Sequence, residues 1–376
     1  MRIQDPGRVN AMFEGGSSLN ARLRQLHDRL LESTPDVDRI ACALYHEDED
    51  ILRTFINSTR RGEPLTGYEF RLADSESLLA LARSGAFRVL DDIPQVIRSD
   101  SRHSEWLLEQ GYRSSFTVPM YANGALLGFI FFDSVKRAAF SPRVQRDLVL
   151  YCNLINMTIA NEMAAVRSVL ASARVACDLA QLRDFETGAH IERMAHYSRI
   201  VARAVADVYD LSDEFVEHVF LFAPVHDIGK IGIPDRILLK QERLDPDERV
   251  IMETHVDKGR EIIGKIIGDF GLSQLSDSRV MMNIVAHHHE FLDGSGYPAG
   301  LSGDQIPVEA RIVAVADIFD ALTGFRPYKR DWSVAEAMRE LNSMANAGKL
   351  DVNCVRGLEE NLDQVRAVMA RYQDNW

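Results

Sequence analysis

Pro142 and Gly188 bracket a stretch that contains neither proline nor glycine. Ser141 can cap a helix with its hydroxyl, and Pro142 suits the first helical position because its missing N–H has no partner there anyway. The stretch therefore predicts one long helix with a different kind of sequence on each side. Within it, Ile159, Met163, Val166, Leu170, Ala173, Cys177 and Ala180 follow alternating steps of four and three. That spacing makes a heptad seam, and it predicts a parallel homodimer through the linker helix. A helix packed on its own domains would show the same period, and the small residues at 173 and 180 weaken the seam.

The N-terminal side mixes strands and helices. "LNARLRQLHDRLLES" has helical apolar spacing, while "DRIACALYHED" and "DILRTFINST" read as strands meeting at an acidic turn. "AFRVLDD" is a further short strand. "SSFTVPMYANGALLGFIFFDS" reads as a hairpin around Asn123-Gly124, a pair that accepts the positive φ angles of a tight turn. This order, followed by "FSPRVQRDLVLYCNLINMTIANEM", resembles a GAF domain, with a PAS-like or other α/β sensor as the alternative. The resemblance implies an α+β sensor with a sheet flanked by helices and a pocket for an unknown small ligand.

The C-terminal side looks all-helical, as in "IERMAHYSRIVARAVADVYD", "DEFVEHVFLFAPVHDIGKIG" and "PVEARIVAVADIFDALTG". The glycine-rich "LDGSGYPAGLSGDQIP" must be a loop. The expected organisation is a sensor domain over 1–150, a linker helix over 151–179 and an all-α domain over 180–376.

A chain of 376 residues accommodates this plan, at about 150 residues per domain. The net charge of −13 argues against a nonspecific grip on DNA. It leaves room for an anionic substrate, because bound cations reverse the local field. Cys42, Cys152, Cys177 and Cys354 are scattered without a CxxC pair, as expected of free thiols in a reducing compartment. Nothing resembles a signal peptide or a membrane span, so the expected setting is cytoplasmic.

Histidines and acids are concentrated in the helical half. His226-Asp227 opens "HDIGKIGIPD", and His287, His288 and His289 open "HHHEFLDGSGYP". His190 precedes them, His255 lies between them and Asp317 follows on an otherwise apolar helix. Such groups are costly to bury unless a cation or metal takes them up. Glu186 and His190 stand four apart, on one face of a helix. Alone, that pair is more often a surface contact, and a lone His255 is more often an ordinary core or surface histidine. Lys230 lies one helical turn after His226.

Together, "DFETGAHIER", "HDIGKIGIPD", His255 with Gly259, "HHEFLDGSGYP", Arg311, Asp317, Asp320 and Arg326-Pro327-Tyr328-Lys329 resemble the HD-GYP subfamily of HD phosphohydrolases. The resemblance covers about residues 180–376. It implies a metal-dependent phosphodiesterase that hydrolyses cyclic di-GMP to linear pGpG and/or GMP. It makes His190, His226, Asp227, His255, His288, His289 and Asp317 the ligands of two or three divalent ions, iron or manganese, with Glu186 as the added ligand for a third. It assigns Asp227 and Lys230 to catalysis, and Lys230, Tyr297, Asp320, Arg326 and Lys329 to substrate. Tyr297 could equally be a loop anchor. The Gly294–Pro298 loop is the implied docking point for a diguanylate cyclase. Phe291 stands where a basic residue is usual, and Gln241-Glu242-Arg243-Leu244 where Pro-Gly is frequent. A cyclic-dinucleotide receptor or scaffold with little turnover, or a phosphohydrolase acting on cyclic GMP-AMP or another nucleotide, are the rival readings.

Overall fold

The computed structural model describes residues 18–97, 101–181, 188–269, 278–324 and 332–373, with the side chains of 173–181 outside that description. Residues up to Ala165, with Ser212–Glu214, form one compact unit, and Val166–Leu211 with Phe215–Trp376 form a second.

The first unit is built on a six-stranded antiparallel sheet. Its strands are β1 (Arg39–His46), β2 (Ile51–Thr59), β3 (Glu69–Arg71), β4 (Arg88–Leu90), β5 (Ser114–Ala122) and β6 (Ala125–Ser134), in the order β3-β2-β1-β6-β5-β4. Asn123 and Gly124 join β5 to β6 with φ of 51° and 82°, the paired positive angles that suit the twist of a two-residue hairpin. Alternate residues of a strand leave opposite faces. Ile40, Cys42, Ile130 and Phe132 accordingly enter one core, and Ala43 and Phe129 another. Helix α1 (Leu19–Ser33) covers the first face with Leu19, Leu23, Leu26 and Leu30.

Helix α2 (Pro142–Gln181) begins at the proline expected to start it. Its Leu148, Cys152, Ile155, Ile159 and Met163 complete the core of the first unit, while Val166, Val169 and Leu170 belong to the core of the second. The four described seam residues, Ile159, Met163, Val166 and Leu170, are thus all buried within the chain's own cores. Their spacing serves packing inside one chain. Ala173, Cys177 and Ala180 lie outside the described side chains. The expected domain limits at 150 and 179 both fall inside α2.

Described elements of the second unit are helices and turns, with one isolated bridge between Asp293 and Ser302. Four helices carry the site: α3 (Gly188–Ala204), α4 (His255–Asp269), α5 (Ser278–His287) and α6 (Val308–Thr323). α6 runs through the core, with Ile312, Val313, Val315, Ala316 and Phe319 fully buried. Its carboxylates Asp317 and Asp320 are consequently fixed in place by the packing around them. Among the described residues, no helix is long and apolar enough to cross a membrane.

Candidate metal centre

The helix Asp213–Phe222 gives way to a 3-10 turn at Ala223–Val225, and a second 3-10 turn spans Ile228–Gly232. The apolar period suggests a continuous helix here. Pro224 explains the difference, since it cannot donate to the ladder and crowds the preceding turn. His226 and Asp227 sit between the two tight turns. Gly229 then lets this corner lie against the start of α4. A Cβ on Gly229 would stand 1.8 Å from the His255 carbonyl oxygen and 2.4 Å from the Gly259 nitrogen. Only a bare backbone permits that approach, which brings His255 Nε2 to 3.1 Å from Asp227 Oδ1.

His190 reaches the same place from α3, Asp317 from α6, and His288 and His289 from the residues just past α5. Two groups of donors result: Asp227, His255, His288 and His289 form one, and His190, His226 and Asp317 the other, with the donor atoms of each within 4.8 Å of one another. Asp227 faces both. Its Oδ1 lies 3.1 Å from His255 Nε2 and 3.6 Å from His288 Nε2, while its Oδ2 lies 3.2 Å from His226 Nε2 and 2.8 Å from Lys230 Nζ. His226 Nε2 is in turn 3.9 Å from Asp317 Oδ1.

The rings are held by their far sides. Nδ1 of His226 donates to the Ala223 carbonyl at 2.8 Å, that of His255 to Met252 at 2.9 Å and that of His288 to Ile284 at 3.0 Å. A carbonyl only accepts, so each Nδ1 carries a proton and each Nε2 is the ring atom turned toward the centre. His190 Nδ1 is bonded to Asp320 Oδ2 at 2.7 Å, which fixes that ring in the same way. Orientation of ligand imidazoles by such outer bonds is characteristic of metal sites. The Nε2 atoms of His255 and His288, and Asp227 Oδ1, are buried and make no hydrogen bond among the described residues. Buried imidazole nitrogens and carboxylate oxygens converging in this way, with Lys230 Nζ beside one Asp227 oxygen, fit divalent metal ions.

Protonation states agree with that fit. Burial, with His226 and His255 adding to it, pushes the His288 imidazole down despite Asp227 nearby. Burial and the neighbouring His288 hold the His289 imidazole well below the usual histidine range. Burial alone would raise the Asp227 carboxyl, but Lys230 and His226 beside it hold it well below the usual carboxylate range. The neutral ring and the ionised carboxylate are the forms that bind metal.

The glycine-rich loop closes over one side. Tyr297 N donates to the His289 carbonyl at 3.1 Å, and the two rings lie 4.7 Å apart. A Cβ on Gly296 would fall within 2.6 Å of backbone atoms of His289, Glu290 and Phe291, so the loop can fold onto the His-His-Glu segment. Buried Glu290 ties it down by accepting from the amides of Ala299 at 2.7 Å and Leu301 at 3.0 Å. Phe291 packs its ring under Lys349, whose Nζ is 5.7 Å from the ring centroid.

Lys230 and Tyr297, expected at the substrate, border the donor groups. Asp320 does not face the opening. It is 4% exposed, with Oδ1 accepting from Arg193 Nε at 2.6 Å and Oδ2 from His190 Nδ1 and from Arg193 Nη2 at 3.0 Å. Both oxygens are engaged inward and orient His190 and Arg193, whereas a substrate contact was expected. Glu186, Arg326 and Lys329 lie outside the described residues. Glu290 is a loop anchor that was not expected from the sequence. Its signal was an acid adjoining the histidine run, where no solvent-facing period called for one.

Residues 174–354 match the model of the HD domain, and residues 19–159 match that of the GAF domain. The chain joins a GAF domain to an HD domain. It is 42% identical over 193 residues to the cyclic di-GMP phosphodiesterase response regulator RpfG of Xanthomonas campestris, an alignment covering 51% of this chain and 48% of that protein. It is 37% identical over 250 residues to 3'3'-cGAMP-specific phosphodiesterase 2 of Vibrio cholerae, covering 64% and 45%. It is 33% identical over 268 residues to the cyclic di-GMP phosphodiesterase PA4108 of Pseudomonas aeruginosa, covering 71% and 59%. The chain thus spans about half the length of these curated relatives. Its HD domain contains the two donor groups, and its GAF domain contains the six-stranded sheet.

Proposed function

We propose that this protein is a metal-dependent phosphodiesterase of the HD-GYP type, hydrolysing cyclic di-GMP to pGpG and/or GMP under control of its GAF domain. The observation that carries the reading is Asp227, one carboxylate placed between two sets of metal-type donors. Divalent ions held there would make water more acidic and draw charge off a phosphodiester. His190, His226 and Asp317 would hold one ion, His255, His288 and His289 another, and Asp227 would bind both. Glu186 is the proposed ligand for a third. The nitrogen and oxygen donor set, with no thiolate, suits iron or manganese.

Lys230 is 21% exposed at its side chain while its Nζ stays 2.8 Å from Asp227, so it can neutralise a phosphate brought beside that carboxylate. Tyr297 keeps its hydroxyl proton, because burial and the acids around it push its pKa up, and it can donate to a phosphate or base edge. Arg326 and Lys329 are proposed to add cationic contacts to the dinucleotide.

A second substrate has a specific observation behind it, since a relative named for 3'3'-cGAMP aligns over 64% of this chain. Chromatography of cyclic di-GMP and 3'3'-cGAMP incubated with the metal-loaded chain tests both. Faster loss of cyclic di-GMP supports the proposal. Faster loss of 3'3'-cGAMP transfers it to that nucleotide, and survival of both rejects hydrolysis in favour of a receptor.

A homodimer through α2 is also proposed, on a different face from the heptad seam. Leu150 and Met157, seven residues apart on that helix, are 71% and 60% exposed. Apolar residues at that spacing line one side of a helix and gain from being covered. Solution mass should fall from dimer to monomer in the Leu150→Glu, Met157→Glu chain, and a monomeric native chain would refute the pairing.

A further inference from the structure

We infer that the cavity beside the sheet of the GAF domain binds a small organic monocarboxylate with a flat apolar body, its carboxylate seated on Arg88. The cavity measures about 290 Å³, near the lower end of small-ligand pockets. Tyr68, Phe70, Leu78 and Phe131 give it apolar and aromatic walls. Three ionised side chains line it as well: Arg39, Arg88 and Asp133.

Arg39 and Asp133 pair with each other, although Arg39 Nε, like that of Arg88, is buried without a hydrogen bond. Their side chains are 3% and 2% exposed, and Arg39 Nη1 lies 2.5 Å from Asp133 Oδ2. Arg88 has no such partner. Its Nη1 donates to Ser77 Oγ at 2.7 Å and its Nη2 to Thr117 Oγ1 at 3.3 Å, both neutral acceptors. Its Nε is buried and makes no hydrogen bond, and among the described residues no carboxylate pairs with it. His103, also in the wall, adds no charge near neutral pH, because burial and Arg39 lower it to about 4.

Among the described residues, two guanidiniums and one carboxylate leave the cavity one positive charge in excess. A half-buried cation with neutral partners alone is costly, and an anion removes the cost. A carboxylate matches the guanidinium fork and supplies a single charge. A phosphate monoester would bring about 1.5 to 2 negative charges at neutral pH and overshoot. Tyr68, Phe70 and Phe131 favour a flat body that can stack on them. This inference is independent of the reaction in the HD domain.

The test is calorimetric titration of the full chain with benzoate and phenylacetate, each against its neutral amide, with phenyl phosphate alongside. The expected result is saturable binding of a carboxylate, with its amide about tenfold or more weaker. Arg88→Gln should weaken the carboxylate about tenfold to a hundredfold and leave amide binding where it was. Arg88→Lys should restore part of the loss. Acid–amide selectivity is read on the native chain, so the inference stays testable even where a variant fails to fold. Equal affinity for acid and amide, undiminished binding in a folded Arg88→Gln chain, phenyl phosphate as the tightest ligand, or no saturable carboxylate binding would each overturn it.

Discussion

In the HD domain, His190, His226, His255 and His288 each commit Nδ1 to an acceptor and leave Nε2 on the side of Asp227 or Asp317. In the GAF domain, Arg39 and Arg88 line a cavity in which, among the described residues, Asp133 is the one carboxylate, and it pairs with Arg39. Both regions bury groups that water would otherwise solvate, and they are incomplete in opposite senses. The HD centre has lone pairs and negative charge without enough cations. The GAF cavity has a cation without enough anions. Burial raises the cost of each imbalance and so sharpens what each region selects. The first imbalance suits positive ions and the second a negative ligand.

The largest effect is expected at Asp227. Asp227→Ala removes the group facing both donor sets, and cyclic dinucleotide hydrolysis should fall by more than the roughly 10–100-fold usual for an outer residue of a metal site. A turnover assay checks this, and a variant within tenfold of the native rate would break the account. Asp320→Asn probes the layer behind. His190 keeps a partner but loses its carboxylate, so metal affinity should weaken by about 10–100-fold with the helical content preserved, as read by metal titration and circular dichroism.

Gly229→Ala asks whether close approach builds the centre. Its Cβ would meet the His255 carbonyl oxygen at 1.8 Å, so the corner and α4 must separate. A loss of about 1–3 kcal/mol in unfolding free energy is expected, measured by denaturant titration.

The smallest effect belongs to the GAF side. Burial, then Arg39 and Arg88, outweigh Asp133 to lower His103 from 6.5 to about 4. Between those values the unfolded chain takes up a proton that the folded chain refuses. Stability of this unit should therefore be whole above about 6.5 and decline as pH falls toward about 4, by on the order of 1–2 kcal/mol. His103→Gln should flatten that slope in thermal unfolding scans.

Much of the HD centre was legible because its donors come in rare local combinations. His226-Asp227 followed by Gly229, and a histidine run followed by a glycine loop, mark positions by residue type alone. The inner layer was not legible. Asp317 was named as a ligand through the family resemblance, but helical period alone does not say that Asp320, three residues on, faces the back of His190. The seam in α2 misled for a related reason. A period of four and three is the same whether a helix packs on a second copy or on its own cores, and Ile159, Met163, Val166 and Leu170 do the latter. In the sheet domain the Asn123-Gly124 turn was plain, whereas Arg88 was hidden. A charged residue on a short strand ordinarily points to solvent, and only the cavity shows otherwise.

The decisive measurement is metal content per chain, made side by side on metal-loaded native protein and on Asp227→Ala. Two or three ions are expected in the native chain, with a loss from both donor groups in the variant. A native chain that holds no more than one ion, or a variant that keeps the full complement, would contradict the claim that a single carboxylate joins the two halves of the centre.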